Sequence, residues 1–362
     1  LSDQLVDPFL FFCRGKDFPQ PGADHTEQLS VYLMHIPDGG NDLGLSRLAA
    51  VKVVGHIVHI LVLLFLQQLT DRSLIVERIA VVHLIPIAIF LVRHTDLKRT
   101  VVVDGGGKYH EDRKPLLEFL VQRNITVIDL LILTHLHQDH FGGFVHLVDR
   151  VQVRQAVAPC GDLRFADRVY PVYGDREFYR EYHDFFQYLE HSKTELIRSA
   201  DCAGRTFTFG DYVLECLYPL RNSTQRSVAY AQKLCDPNLT EEAMAWNLAA
   251  YKQTCNEDSS IWLLRKGSTD LALLSGDSTD ETMRAALCGR QTRPRLQKLS
   301  HHGICTRYFS EYVQKILKPE ILVVSVDETH YTEDMGAQID ALCAAGDSQC
   351  YYTFQGDVNI SL

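Results

Sequence analysis

The chain has 362 residues, room for one large domain or one domain with an appendage. Apolar residues make up 46% and charged residues 23%, a balance that supports a sizeable core and excludes a chain too polar to fold. Acidic residues outnumber basic ones 46 to 36, for a net charge of −10, which argues against a broad basic nucleic-acid-binding stripe while leaving a local basic groove open. Ten cysteines are scattered without a C-x-x-C pair or framework spacing. They read as reduced, mostly buried thiols, and the cytoplasm is the expected compartment. The sequence opens on Leu1 rather than a methionine, so residues ahead of it are expected, and no signal-peptide arrangement is visible.

Residues 1–77 form an N-terminal region in which no period of 2 or 3.6 holds for long. Its structure is expected to be partly disordered, or the segment not to be native coding sequence. Val53 to Leu69 is strongly apolar but carries His56 and His59 and is shorter than the about 20 residues of a membrane span, so a buried helix is favoured over a membrane segment.

From residue 78 the pattern sharpens. Ile79 to Val82, Ile87 to Val92 and Thr100 to Val103 read as apolar strands, the last two joined by the polar turn Arg93 to Lys98. Asp104-Gly105-Gly106-Gly107 then turns the chain. Lys114 to Arg123 has a helical period, and Ile128 to Leu133 reads as a strand buried on both faces. Residues 160–205 and 223–252 read as insertions, the first helical around Arg176 to His191, where His183 and His191 suit packing or solvent contact. Arg164, Arg168, Arg176 and Arg180 are interspersed there with Asp162, Asp167, Asp175, Glu177 and Glu181, which makes a solvated mixed-charge face rather than a nucleic-acid groove. Strands are expected at Thr206 to Phe209, Tyr212 to Leu217, Ser260 to Leu264, Leu271 to Leu274, Ile321 to Val324 and Tyr351 to Phe354, with helices centred near 283, 313 and 340. Strands interleaved with helices imply a layered α/β architecture.

The segment that carries chemistry is Thr134-His135-Leu136-His137-Gln138-Asp139-His140-Phe141-Gly142-Gly143. It follows a buried strand directly, so its side chains emerge together at the strand's C-terminal end. Three imidazoles and a carboxylate within six residues are costly to bury unpaired, and borderline-soft divalent metals take such N/O ligands. His135 and His137, at alternate positions, suit one ion, and Asp139 and His140 a second one nearby. A histidine-rich surface loop is the bland alternative.

In this motif and in the landmarks around it, the chain resembles the metallo-β-lactamase superfamily, and within it the hydrolase domain of ComEC-type competence proteins. Val101 to Gly106 resembles the family's early strand ending in aspartate and glycines. Asn256-Glu257-Asp258-Ser259-Ser260 resembles its Asn/Asp-Ser stretch, and Leu273-Leu274-Ser275-Gly276-Asp277 its Gly-Asp strand end. Leu299-Ser300-His301-His302-Gly303 resembles its HHG turn, and Tyr351 to Ile360 its final strands. The resemblance implies a four-layer αββα fold over residues 78–362 and a site of two divalent ions, zinc or manganese. The ions would be held by His135, His137, Asp139, His140, a bridging Asp277, and His302 with His301 as its alternative. Read alone, Asp277 has a turn aspartate as its bland alternative, and His301-His302 a helix start.

Two departures stand out. His83-Leu84-Ile85-Pro86-Ile87-Ala88 occupies the place of the family's V-G-x-G-D loop. No histidine stands near Asn256 to Ser259, where many members carry another ligand; Asp258 either substitutes there or caps the chain. Asp104 is expected to support the metal loop, and His330 to border the cleft as a supporting or substrate contact.

The resemblance implies a hydrolase in which the metals activate water and Asp139 orients it and handles its proton. Phosphodiesters or related phosphate esters, small or in nucleic acid, lead as substrates. Lactones, thioesters or other carboxylic esters are the alternative, as is a non-catalytic binding module with an impaired site. A flavin-linked redox role is disfavoured because no flavin-binding domain follows the hydrolase region.

Overall fold

The structure is a computed structural model that describes residues 28–31, 76–84, 87–94, 99–107, 115–166, 169, 176–304, 316–326, 331–355 and 360–361. Val53 to Leu69, the helix expected near residue 313, and His330 lie outside the described residues.

Period-2 patterning fixes the architecture. One sheet takes β1 (Gln28–Val31), β2 (Val76–Leu84), β3 (Ile87–His94), β4 (Arg99–Val103), β5 (Val127–Ile132), β6 (Gln152–Ala158) and β7 (Glu195–Arg198), with β15 (Ile360–Ser361) at the edge beside β1. The other takes β8 (Thr206–Phe209), β9 (Tyr212–Tyr218), β10 (Ile261–Lys266), β11 (Thr269–Leu274), β12 (Leu296–Lys298), β13 (Ile321–Val324) and β14 (Gln349–Tyr352). Alternate side chains of a strand point to opposite faces. Val101, Val103, Leu130 and Ile132 of the first sheet therefore pack against Trp262, Leu264, Leu274 and Val323 of the second, in one inter-sheet core.

The intervening residues face outward and are covered by helices. Val102 and Leu131 pack with α1 (Pro115–Gln122) and α2 (Arg176–His191), through Phe119, Leu120, Tyr182, Phe185 and Phe186. The paired helices α3 (Arg226–Leu234) and α4 (Glu241–Cys255) join the same cluster through Leu234, Leu248 and Tyr251. On the far side, Leu263, Leu273, Leu322 and Val324 pack with α5 (Asp280–Leu287) and α6 (Glu333–Gly346), through Met283, Leu287, Ile339 and Leu342. The result is the four-layer αββα arrangement. Among the described residues no helix is long and apolar enough to cross a membrane.

Several strands depart from the sequence expectation. β6 lies ahead of the segment read as a helical insertion and β7 within it, yet both continue the first sheet in parallel from β5. β12 has only three residues, too few to show a period, and is held by parallel pairing to β11 and β13. Phe354, expected in the last strand, stands in a 3-10 turn (Thr353–Gln355) instead. The chain after the metal loop is likewise a 3-10 run (Gly142–Leu147) rather than an α-helix.

The topology decides where the site forms. β4, β5 and β6 run parallel in one sheet, and β11, β12 and β13 in the other. Asp104 follows β4, the histidine motif follows β5, Asp277 follows β11, and His301-His302 follows β12. All stand just past strand C-termini, where open α/β sheets leave their crevices.

Candidate metal centre

The histidine motif is placed by its backbone. Past β5, Leu133 N–H donates to Val157 O (2.9 Å), Ser260 N–H donates to Thr134 O (3.0 Å), and His137 keeps an extended conformation. His135 and His137 consequently share a side, with His135 Nε2 3.0 Å from His137 Nδ1. One helical turn, Gln138–Phe141, then swings Asp139 and His140 towards the same cleft. The turn is locked to the Asp104 loop: Gly105 N–H donates to His140 O (2.6 Å) and Gly143 N–H to Gly106 O (3.0 Å). A side chain at Gly143 would run into the Gly105 carbonyl oxygen, which explains the glycine.

Asp104, in the left-handed region at φ 59°, uses both carboxylate oxygens. Oδ1 accepts from Thr134 N–H (2.8 Å), while Oδ2 accepts from Thr134 Oγ1–H (2.9 Å) and lies 2.7 Å from His140 Nδ1. It thereby fixes the His140 ring with Nε2 aimed into the cleft. Across the cleft, His302 Nδ1 donates to Ser325 O (2.8 Å), which leaves its Nε2 facing inward as well. Asp277 is set by Gly276, at φ +50°, where a side chain would meet Thr134, and by Ser259 Oγ, which accepts from Asp277 N–H (3.1 Å).

Asp277 Oδ2 lies 3.2 Å from His140 Nε2 and 3.1 Å from His302 Nε2, and Asp139 Oδ2 lies 3.5 Å from His302 Nε2. The four ligand atoms of Asp139, His140, Asp277 and His302 fall within 4.8 Å of one another. His140 Nε2 and His302 Nε2 are buried yet make no aligned hydrogen bond. Buried ring nitrogens normally find a partner, and two of them aimed at the same carboxylate oxygen fit a divalent ion between them. Two imidazoles and two carboxylates form a donor set suited to zinc or manganese.

Electrostatics sharpen the arrangement. Burial and the neighbouring His140 and His137 hold His135 well below the ordinary imidazole range; burial also lowers His137. Both rings are therefore neutral, with lone pairs available. Burial alone would lower His140 and His302 too, but Asp277 and Asp104 push His140 up to about 10, and Asp277 and Asp139 push His302 up to about 9. Burial would raise both carboxyls, yet their histidine neighbours bring Asp139 down to about 2 and, together with Lys298, hold Asp277 well below the usual range.

The remaining sequence candidates stand apart from this cluster. Asp258 faces away: its Oδ2 accepts from Ser227 N–H (2.6 Å) and Ser227 Oγ–H (2.5 Å) at the start of α3. His301 is half-buried, with Nε2 3.2 Å from Asn256 Nδ2, so the place without a histidine holds an asparagine that meets His301. His301-His302 do not start a regular helix; both residues are left-handed (φ 46° and 56°), ahead of Gly303 at φ 84°. Such consecutive strain, about 1–3 kcal/mol per residue, persists where the surroundings over-determine it, commonly at functional sites. Sequence reasoning missed Thr134, Ser259 and Lys298. Lys298 left one signal, a lysine four residues before the second histidine in an otherwise uncharged run, Leu296-Gln297-Lys298-Leu299-Ser300.

Comparison with known proteins finds partial likenesses. Residues 84–195 match the family model described as Metallo-beta-lactamase superfamily. A 60-residue stretch is 43% identical to a hydroxyacylglutathione hydrolase of Vibrio campbellii (strain ATCC BAA-1116), covering 17% of this chain and 21% of that protein. The match thus spans about a fifth of that relative's length. Among solved structures, Zn(2+)-bound PqqB from Methylobacterium extorquens is similar at 11% identity and a TM-score of 0.41, over 76% of this chain and 86% of that one. A diphosphatase from the PhnP family is similar at 13% identity and a TM-score of 0.39, over 76% and 83%. No feature of the site rests on these two likenesses. The family match over residues 84–195 takes in the His135–His140 motif, which the four-layer fold brings against Asp277 and His302.

Proposed function

We propose that this protein is a metal-dependent hydrolase acting on phosphodiesters or related phosphate esters. The observation that carries the reading is the convergence of Asp139, His140, Asp277 and His302, with two buried ring nitrogens left without an aligned hydrogen bond. These four residues would hold one divalent ion, and His135 and His137, sharing Asp277, a second, zinc or manganese in each place. Bound there, the metals supply Lewis acidity, activating a water and drawing charge from the substrate's oxygens.

The chain's own residues do the rest. Asp104 and Ser325 O hold His140 and His302 in fixed orientations, so their inward nitrogens need not reorganise during the reaction. The Asp139 side chain is 37% exposed, unlike Asp277 at 2%, which puts it at the open side of the cleft. Its depressed pKa keeps it ionised, able to accept a hydrogen bond from an attacking water and to orient it. The buried Lys298 beside Asp277 adds positive charge behind the centre, which favours an anionic phosphate ester.

A second reading has one observation behind it. The short match to hydroxyacylglutathione hydrolase favours an acyl ester or thioester as substrate.

Elemental analysis of purified wild type, beside His137→Ala and Asp277→Ala, tests the metal reading. About two equivalents in wild type, with both variants depleted, are expected; no bound metal after reconstitution would leave a binding module. An aryl phosphodiester assayed against acyl thioesters and lactones then decides the substrate: turnover of the thioester alone would overturn the phosphate reading.

A further inference from the structure

Lys298 ends β12 and is 2% exposed, one of the largest fully buried side chains of the described residues. Its Nζ lies 2.7 Å from Gly276 O, 3.3 Å from Leu299 O and 3.4 Å from Asp277 Oδ1. An ammonium has three donors and no lone pair, so these three acceptors use its full capacity and it cannot itself bind metal. The two oxygens of Asp277 thus face different partners: Oδ1 meets the lysine, and Oδ2 meets His140 Nε2 and His302 Nε2.

We propose that Lys298 is a positioning residue that turns a single oxygen of Asp277 to the metal centre. The proposal rests on the reading that Asp139, His140, Asp277 and His302 hold an ion. A carboxylate is free to give a metal one oxygen or two. With one oxygen from Asp277, the set supplies four donor atoms from four residues, and a water or substrate can enter as a fifth ligand. With two, Asp277 would fill a position that the reaction needs. Lys298 prevents this by occupying Oδ1 and by tying down the carbonyl of Gly276, the residue whose left-handed backbone aims Asp277. A buried ammonium is costly to leave unpaired, so the contact is not given up cheaply.

Cobalt(II) is the probe, because its visible absorption is strong in four- or five-coordinate sites and weak in six-coordinate ones. Wild-type protein, Lys298→Met and Lys298→Gln are loaded with cobalt, checked for folding by circular dichroism, and competed with a chelator. Strong visible absorption is expected in wild type. The Met variant, which keeps the length of the stem but neither charge nor donor, is expected to absorb more weakly and to hold cobalt about tenfold less tightly, the usual effect of losing a partner that orients a ligand. A lysine acting only through its charge would have the opposite effect on affinity, because its removal relieves repulsion of the cation; tighter binding would overturn the proposal. Folded variants with the wild-type spectrum and affinity would also overturn it, making Lys298 a strut of the fold. Should neither variant fold, the wild-type spectrum still decides, since weak six-coordinate absorption means that Asp277 already chelates. Failure of wild type to take up cobalt would refute the ligand set itself, and this proposal with it.

Discussion

Gly143 shows how closely a single residue is tied to the centre. A Cβ added there would run into the Gly105 carbonyl oxygen, so Gly143→Ala must push the metal loop off the Asp104 loop. Forcing this backbone apart should destabilise the fold by about 3 kcal/mol, the upper range of overpacking, and chemical denaturation would read it. Metal affinity should fall along with stability, because Gly105 N–H bonds the carbonyl of His140. His140 and His302 make a second prediction at this scale. In protein stripped of metal, their pKa values of about 10 and about 9 lie above the ordinary value of about 6.5, so protonated imidazoles stabilise the fold. That contribution is complete below about pH 6.5 and is lost as pH rises through about 9 to 10. A bound ion must displace those protons, so metal affinity should rise with pH up to that range, by about tenfold per pH unit for each proton displaced. Calorimetric titrations in two buffers of different ionisation enthalpy count the protons; no proton release would contradict the assignment.

At the scale of elements, β10 carries the most informative core residue. Trp262 is fully buried between the sheets, its Nε1–H donating to Ser260 Oγ (2.9 Å) and its ring 5.9 Å from that of Phe207. Trp262→Ala should cost about 3–5 kcal/mol, measured by urea unfolding, because a cavity of that size cannot close between two sheets. The elements legible in the sequence are those with a clean period or a strong turn. The helix Arg176–His191 and the hairpin of β8 and β9 around Gly210-Asp211 stand where the sequence places them. β6 and β7 were illegible for a physical reason: β6 carries Gln152, Arg154 and Gln155, and β7 has only four residues, so neither shows an apolar run. Their identity comes from parallel pairing, β6 to an already buried β5 and β7 to β6, an interaction with sequence-distant partners.

At the scale of the whole molecule, the layers sort the thiols. Burial pushes Cys160 up to about 12 and Cys202 up to about 11, and raises Cys216 further, whereas Cys288 is exposed. The thiolate is the reactive form, so at mildly alkaline pH an alkylating reagent should modify Cys288 at least about tenfold faster than the buried three. Peptide mapping by mass after timed labelling checks this; comparable rates would mean that the layers open readily.

The sequence alone pointed to the chemistry of the candidate site. Three histidines and an aspartate within six residues, placed after an apolar strand, are costly to bury unpaired and make a donor set suited to a divalent ion. It also determined the alternation that gives each sheet two apolar faces. Tertiary structure decided which distant residues complete the centre. Asp258 and Asp277 are both aspartates beside serine, yet one caps α3 and the other faces two histidines. His301 and His302 are adjacent in the chain, and a left-handed turn sends one to Asn256 and the other to Asp277. Direction is the property that separates each pair, and direction is fixed by backbone dihedrals and by partners far away in the chain, neither of which residue type or spacing encodes.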